Sequence, residues 1–227
     1  MTEEEAPFRL RRAETVLRHR TSRLVLVMER PWNDENVQAV VRTAEAFGLQ
    51  HVWTIRHPTK KAKSAKSVTK GSHRWLTKRF FDTIEDCIAA MREEGLEIWA
   101  TDLAPGAIEV AGPESLRPFP ERVALVVGRE LQGVSEKILE VADRRLFLPM
   151  RGFTESFNLS VATALMLQRC FDADPTLVGA MSDEERNELR PYWFDRLAKF
   201  KEGKLAAFRR FAQSPPEPLE SLRPLER

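Results

Sequence analysis

The stretch "RVALVVGRELQGVSEKILEVADRRLFLPM" (Arg122–Met150) holds the pattern on which the fold turns. It opens with the most strand-like run in the chain, Val123 to Val127, which breaks on Gly128. Continuous apolar character without alternation describes a strand buried on both faces. A short helix is expected around Ser135–Ala142, and "RRLFLPM" (Arg144–Met150) then reads as a second strand that breaks at Pro149. Strand, helix and strand in succession are the unit of a parallel sheet, because a crossover must carry the chain back before the second strand can run in the same direction.

Upstream, "RLVLVME" (Arg23–Glu29), "HVWTIR" (His51–Arg56) and "EIWATDL" (Glu97–Leu103) read as further strands. Between the first two, "NVQAVVRTAEAFG" sets Val37, Val40, Val41, Ala44 and Phe47 at helical spacing, with Gly48 as the stop. Asp82 and Glu85 have capping-box spacing ahead of Ile84, Ile88 and Met91, and Gly95 closes that helix. The basic segment after Arg56 and the Pro/Gly-rich segment up to about Glu121 are expected to be loops. Downstream, "FTESFNLSVATALML" (Phe153–Leu167) joins a polar cluster of Thr154, Glu155, Ser156, Asn158 and Ser160 to an apolar helix. One such residue is enough to cap a helix; five suggest that the helix mouth is also a site.

The expected fold is therefore α/β, a mostly parallel sheet covered on both faces, over residues 23–173. A basic helical segment over 1–22 precedes it, and a helical extension with a Pro-rich tail follows over 174–227. In that extension Ser182 and Glu185 again form a capping box, Pro191 interrupts, and "YWFDRLAKFKEGKLAAFRRFA" reads as an amphipathic basic helix. The final "QSPPEPLESLRPLER" is expected to be an extended tail.

With 227 residues, 42% of them hydrophobic and 31% charged, the composition is that of an ordinary soluble protein. No apolar run approaches the ~18 residues of a transmembrane helix, and the first twenty residues lack the apolar core of a secretion signal. The two cysteines, Cys87 and Cys170, lie far apart in apolar helical contexts, as expected for free buried thiols in the cytoplasm. Net charge is only +2, yet it is segregated. Between Arg56 and Phe81 stand nine Lys or Arg residues and no Asp or Glu, and the N-terminal segment adds Arg9, Arg11, Arg12, Arg18, Arg20 and Arg23. A solvated loop is the bland explanation; a polyanion partner, nucleic acid, is the one that unrelieved positive charge favours.

Several chemistries are excluded. There is no G-x-G-x-x-G after a strand and no G-x-S-x-G elbow. "GRELQGVS" (Gly128–Ser135) has the spacing of a phosphate loop but carries Val134 where lysine is required. Four histidines and two distant cysteines make no zinc cluster, so no metal is expected. What remains is three segments with functional groups at strand ends: Asn36 and Arg42 in the first helix, Gly128 and Glu130 after a strand, and the polar cluster before the last helix. Arg42 by itself would pass as a surface arginine. Ligands of open α/β sheets bind outside the carboxyl ends of the strands.

Taken together, "NVQAVVRTAEAFG", "LVVGRELQGVSEKILEVADRRLFLPM" and "ESFNLSVATAL" resemble, in order and spacing, the three motifs of the SpoU (TrmH-type) RNA 2′-O-methyltransferases of the SPOUT superfamily. The resemblance covers roughly Leu24 to Gln168. "KGSHRW" (Lys70–Trp75) also looks like an element of the tRNA-acting members. The resemblance implies a deep trefoil knot formed by the C-terminal strands and helix. It further implies S-adenosyl-L-methionine as methyl donor, a homodimer with the active site at its interface, and no metal or membrane. The implied substrate is a ribose 2′-OH of tRNA, at guanosine 18 in the D-loop. Another tRNA nucleotide or ribosomal RNA is the alternative within the family; a non-catalytic RNA-binding protein is the alternative outside it.

Matched position by position, the implied donor site comprises Thr101, Gly128, Leu148, Met150 and Phe157, and the implied catalytic group Arg42, Asn36, Glu130, Ser156 and Asn158. Glu155 stands where members often carry Gln, and Phe157 replaces a common Leu. RNA contacts are expected from Arg9, Arg11 and Arg12 and from Lys60, Lys61, Lys70, His73 and Arg74, with His73 and Trp75 as rings on which a base could stack.

Overall fold

The apolar runs become strands in the computed structural model, which describes residues 6–59, 74–129, 132–199 and 202–221. In chain order the first elements are α1 (Phe8–His19), β1 (Leu24–Glu29), α2 (Asp34–Ala46), β2 (His51–Ile55), β3 (Thr77–Phe81) and α3 (Ile84–Glu93). There follow β4 (Glu97–Thr101), β5 (Ile108–Glu109), β6 (Val123–Val127), α4 (Glu136–Leu139), β7 (Arg144–Phe147) and α5 (Leu159–Ala173). Last come α6 (Asp183–Leu197) and α7 (Glu202–Gln213). They form two compact units, one of residues 21–177 and one built from the two chain ends, 1–20 and 178–227.

The first unit is a seven-stranded sheet in the order β3-β2-β1-β6-β4-β7-β5, with every described pairing parallel. The chain lays β1, β2 and β3 outward on one side, then crosses over to β4 and β5. It later inserts β6 between β1 and β4, and β7 between β4 and β5. Alternation along each strand divides the core. Leu24, Leu26, Met28, Val123, Leu125 and Val127 pack on one face with α2 and α5; Val25, Val27, Ala124 and Val126 pack on the other with α3 and α4. Because both faces are covered, β1 and β6 are buried throughout, which is why they read as unbroken apolar runs. Cys87 and Cys170 are free and buried on opposite faces, and burial pushes both thiols up to about 12.

Local chemistry sets the helix ends. Gly48 takes φ 82°, which a residue with a Cβ adopts only at a cost, and α2 stops there. The cap of α3 is Thr83, whose hydroxyl accepts the Asp86 N–H at 3.1 Å, one residue on from the Asp82 and Glu85 pairing expected. Two strands had no counterpart in the sequence pattern. β3 lies inside the basic segment as an edge strand, and its Lys, Arg and half-exposed Phe80 give it a loop's composition. β5 is two exposed residues, too short to show a period.

In the second unit the Ser182–Glu185 capping box is present. Helix α6 continues through Pro191 rather than stopping there. Pro191 itself is exposed, while Arg190, Trp193 and Phe194 beside it are buried and hold the turn. The expected long basic helix is two helices, α6 and α7, with Lys199 at φ 53° after the first. A buried ion pair links α1 to α6: Arg190 donates Nε to one Glu14 carboxylate oxygen at 2.7 Å and Nη2 to the other at 3.1 Å. The described part of the tail, residues 214–221, is extended but seated, since the Leu219 N–H reaches the Thr15 hydroxyl at 2.7 Å and Arg11 reaches the Glu217 carbonyl at 3.2 Å.

Candidate active site

Three of the expected donor-site positions fall at the carboxyl ends of adjacent strands. Thr101 ends β4, Gly128 follows β6 and Leu148 follows β7, and these strands stand side by side in one direction. Neighbouring strands lie about 4.8 Å apart, so the three ends span roughly 10 Å. Thr101 donates its hydroxyl to the Val126 carbonyl at 3.3 Å, which ties the β4 end to β6. Leu148 and Met150 are half-buried, Leu148 against the core of the α2/α5 face.

Gly128 is required by its surroundings. Arg129 and Gly133 exchange backbone hydrogen bonds at 3.0 Å, closing the loop on itself. A Cβ on Gly128 would lie 2.0 Å from the Gly133 carbonyl carbon and 2.2 Å from the Val134 nitrogen. The loop is pinned from below by Glu29 at the end of β1. Its side chain is 1% exposed and accepts the Ser135 N–H at 2.8 Å. Sequence reasoning missed Glu29, although a carboxylate closing an otherwise apolar buried strand was the available signal.

On the acceptor side, the structure joins the first and third motifs. Asn158 is the N-cap of α5; its Oδ1 accepts the Ser160 N–H at 2.9 Å, and its Nδ2 donates to Asn36 Oδ1 at 3.1 Å. Asn36 is not the cap of α2. That role belongs to Asn33, which accepts the N–H groups of Glu35 and Asn36 and so leaves the Asn36 side chain to meet Asn158. Arg42 is six residues further along α2 and exposed. At about 100° per residue it stands some 120° away from Asn36 around the helix axis. Ser156 is exposed, as is Phe157 at 40%.

Arg9 and Arg12 are exposed on α1, and Arg11 is half-buried through its bond to Glu217. Arg74 is exposed. Glu130, Lys60, Lys61, Lys70 and His73 lie outside the described residues. Arg23, one of the N-terminal positive charges, is structural: it bonds Asp174 at 2.9 Å, Thr176 at 3.0 Å and the Glu121 carbonyl at 2.6 Å. Among the described residues no group of three or more His, Cys, Asp or Glu could hold a metal ion, and no helix is long and apolar enough to cross a membrane.

The residues present fit an adenosyl group. A loop closed tightly at Gly128, a hydroxyl at Thr101 and half-buried apolar side chains at Leu148 and Met150 offer backbone amides and flat apolar walls.

Comparison with known proteins shows the family. A sequence model of the family described as SpoU rRNA Methylase matches residues 23–168. The chain is 35% identical over 159 residues to the tRNA (guanosine(18)-2′-O)-methyltransferase of Aquifex aeolicus (strain VF5), covering 70% of this chain and 74% of that relative. The crystal structure of the A. aeolicus TrmH/SpoU tRNA modifying enzyme superposes with a TM-score of 0.70 at 30% identity, covering 83% of this chain and 95% of the other. The AdoMet-bound rRNA methyltransferase from Sinorhizobium meliloti matches with a TM-score of 0.58 at 25% identity, over 77% of this chain and 62% of that one.

Proposed function

The chain belongs to the SpoU rRNA Methylase family, and we propose that it methylates a ribose 2′-OH of tRNA, at guanosine 18, with S-adenosylmethionine as donor. The observation that carries the reading is the Asn158–Asn36 hydrogen bond. It joins the first and third motifs at the sheet edge where Thr101, Gly128 and Leu148 line up. The tRNA relative at 35% identity supports the substrate class and the nucleotide.

When bound, the donor supplies a methyl group on a sulfonium, electrophilic enough for direct displacement by oxygen. The loops after β4, β6 and β7 hold it, with Thr101, Gly128, Leu148, Met150 and Phe157 as its walls. Asn36, Ser156 and Asn158 orient the ribose. Alignment of the reacting atoms supplies much of the rate in a displacement of this kind. Arg42 binds the adjacent phosphate and stabilises the developing alkoxide. A guanidinium stays protonated at neutral pH and is a poor base, so the 2′-OH proton leaves through water or Glu130.

Arg42 completes the site from a second copy of the chain. Two features support a homodimer with the site at its interface: the angle between Arg42 and Asn36, and an exposed apolar stripe on and before α5. Phe157, Val161 and Leu165 are spaced four apart and exposed at 40%, 45% and 42%. The late insertion of β6 and β7 between strands laid down earlier supports a C-terminal trefoil knot. We assign catalysis to residues 23–173 and RNA contacts in part to the basic segment 1–22, with 174–227 as a flanking extension, in an enzyme acting in the cytoplasm.

The test is transfer of labelled methyl from S-adenosylmethionine to unmodified tRNA, with the labelled nucleotide mapped. Label on the ribose of guanosine 18 is expected; label elsewhere in tRNA, or only in ribosomal RNA, rejects the assignment. Arg42→Ala is expected to abolish transfer with donor affinity intact, and full turnover by that variant at saturating substrate would overturn its role.

A further inference from the structure

Two loops at the carboxyl edge of the sheet each present a ring in a constrained setting. After β1, Arg30 takes φ 45° and donates its N–H to the Ile55 carbonyl at 2.9 Å. Buried Pro31 follows, and Trp32 then stands 59% exposed. After β2, His57 is followed by Pro58, and Thr59 fixes the imidazole: its N–H donates to His57 Nδ1 at 3.3 Å, and its hydroxyl lies 3.0 Å from the same nitrogen. The two rings meet edge to face, with centroids 4.9 Å apart and planes at 76°.

A single exposed ring needs no explanation. This one differs in two respects. Its backbone is held by a proline and a strand-like hydrogen bond, so little conformational entropy remains to be lost on binding. An edge-to-face contact leaves at least one indole face uncovered by His57. Arg56, next to His57 in the chain, lies 5.2 Å from the ring centroid of half-exposed Phe80 and is paired with Asp82 at 2.7 Å. Trp32 immediately precedes the cap of α2, and Asn36 stands in the first turn of that helix.

We propose that Trp32, braced by His57, is a stacking platform for an unpaired base of the RNA substrate, beside the ribose oriented by Asn36. The proposal rests on the methyltransferase reading for its substrate. Aromatic rings take any base on their π-face, so the platform positions the substrate loop without reading its sequence.

The experiment uses the full chain with Trp32→Ala and Trp32→Phe and an unmodified tRNA transcript. Trp32→Ala is expected to raise KM for tRNA about 5- to 150-fold, the range that loss of one base–aromatic stack produces. Trp32→Phe should recover most of that loss, and S-adenosylmethionine affinity should stay unchanged in both. Of the five tryptophans, Trp53, Trp99 and Trp193 are buried. Part of the fluorescence quenching on RNA addition should therefore disappear in Trp32→Phe. Unchanged KM and quenching in the variants would overturn the platform. So would a drop in sedimentation coefficient in Trp32→Ala, which would show that a second copy of the chain covers Trp32. If the wild type methylates no tRNA, the methyltransferase reading fails separately; RNA-dependent quenching at Trp32 then still decides the platform.

Discussion

Asn158 performs two tasks at once, and they can be separated. As a cap it satisfies the Ser160 N–H; as a link it donates to Asn36. Serine caps as well as asparagine but is too short to reach Asn36. Asn158→Ala should cost about 1 kcal/mol of stability, read by thermal unfolding, whereas Asn158→Ser should keep it. Both should lose single-turnover methyl transfer, and activity that followed stability alone would refute the link. Gly128 offers a second test. Its added Cβ would meet backbone at 2.0 Å, not a flexible side chain, so the loop itself must move. A shift near 1 Å at a reacting centre costs on the order of 100-fold in rate. Gly128→Ala is therefore expected to lose donor affinity by calorimetry and turnover together, and normal donor binding would contradict the placement of the site.

At the scale of elements, the catalytic edge depends on how α5 is tied at both ends. Its start carries Asn158; its end carries Asp174, where Arg23 from the start of β1 binds the carboxylate and the Pro120 and Glu121 carbonyls ahead of β6. Burial alone would raise the Asp174 carboxyl, but hydrogen bonds from Thr176 and the Arg23 charge outweigh it and hold the group below its ordinary value. A group depressed in the folded state adds stability above its unfolded value, about 3.9 for Asp, and that contribution is lost as pH falls through the folded value. Acid titration should thus destabilise the wild type more steeply below about pH 4 than Asp174→Asn. Parallel acid-unfolding curves for the two would show that the tie contributes nothing.

For the whole molecule, the question is where RNA affinity arises. Arg9 and Arg12 are exposed, whereas Arg11, Arg23 and Glu14-bound Arg18 are engaged within the protein. A phosphate contact contributes about 0.7 to 0.9 to the slope of log affinity against log salt concentration. Neutralising Arg9 and Arg12 together should reduce that slope by about 1.4 to 1.8 if both meet phosphate. An unchanged slope would move the RNA surface elsewhere. The same comparison shows the limits of charge counting: a cluster of arginines signals a polyanion partner, but which of them face solvent depends on carbonyls and carboxylates hundreds of residues away along the chain, or only a few.

The sequence by itself determined the buried strands, the α/β class, the helix stop at Gly48 and the order of the three motifs. Each of these follows from a local period or a local φ/ψ preference. The edge strand β3 and the passage of α6 through Pro191 were decided by tertiary structure, because there pairing and packing outweigh local propensity. Strand order was decided there too. Only when β6 slots between β1 and β4 do Thr101, Gly128 and Leu148 become neighbours, and only when α5 packs on α2 does Asn158 reach Asn36. Side chains separated by 122 positions in the chain share a hydrogen bond because the parallel sheet turns every strand's carboxyl end toward one edge, a juxtaposition that no local pattern encodes.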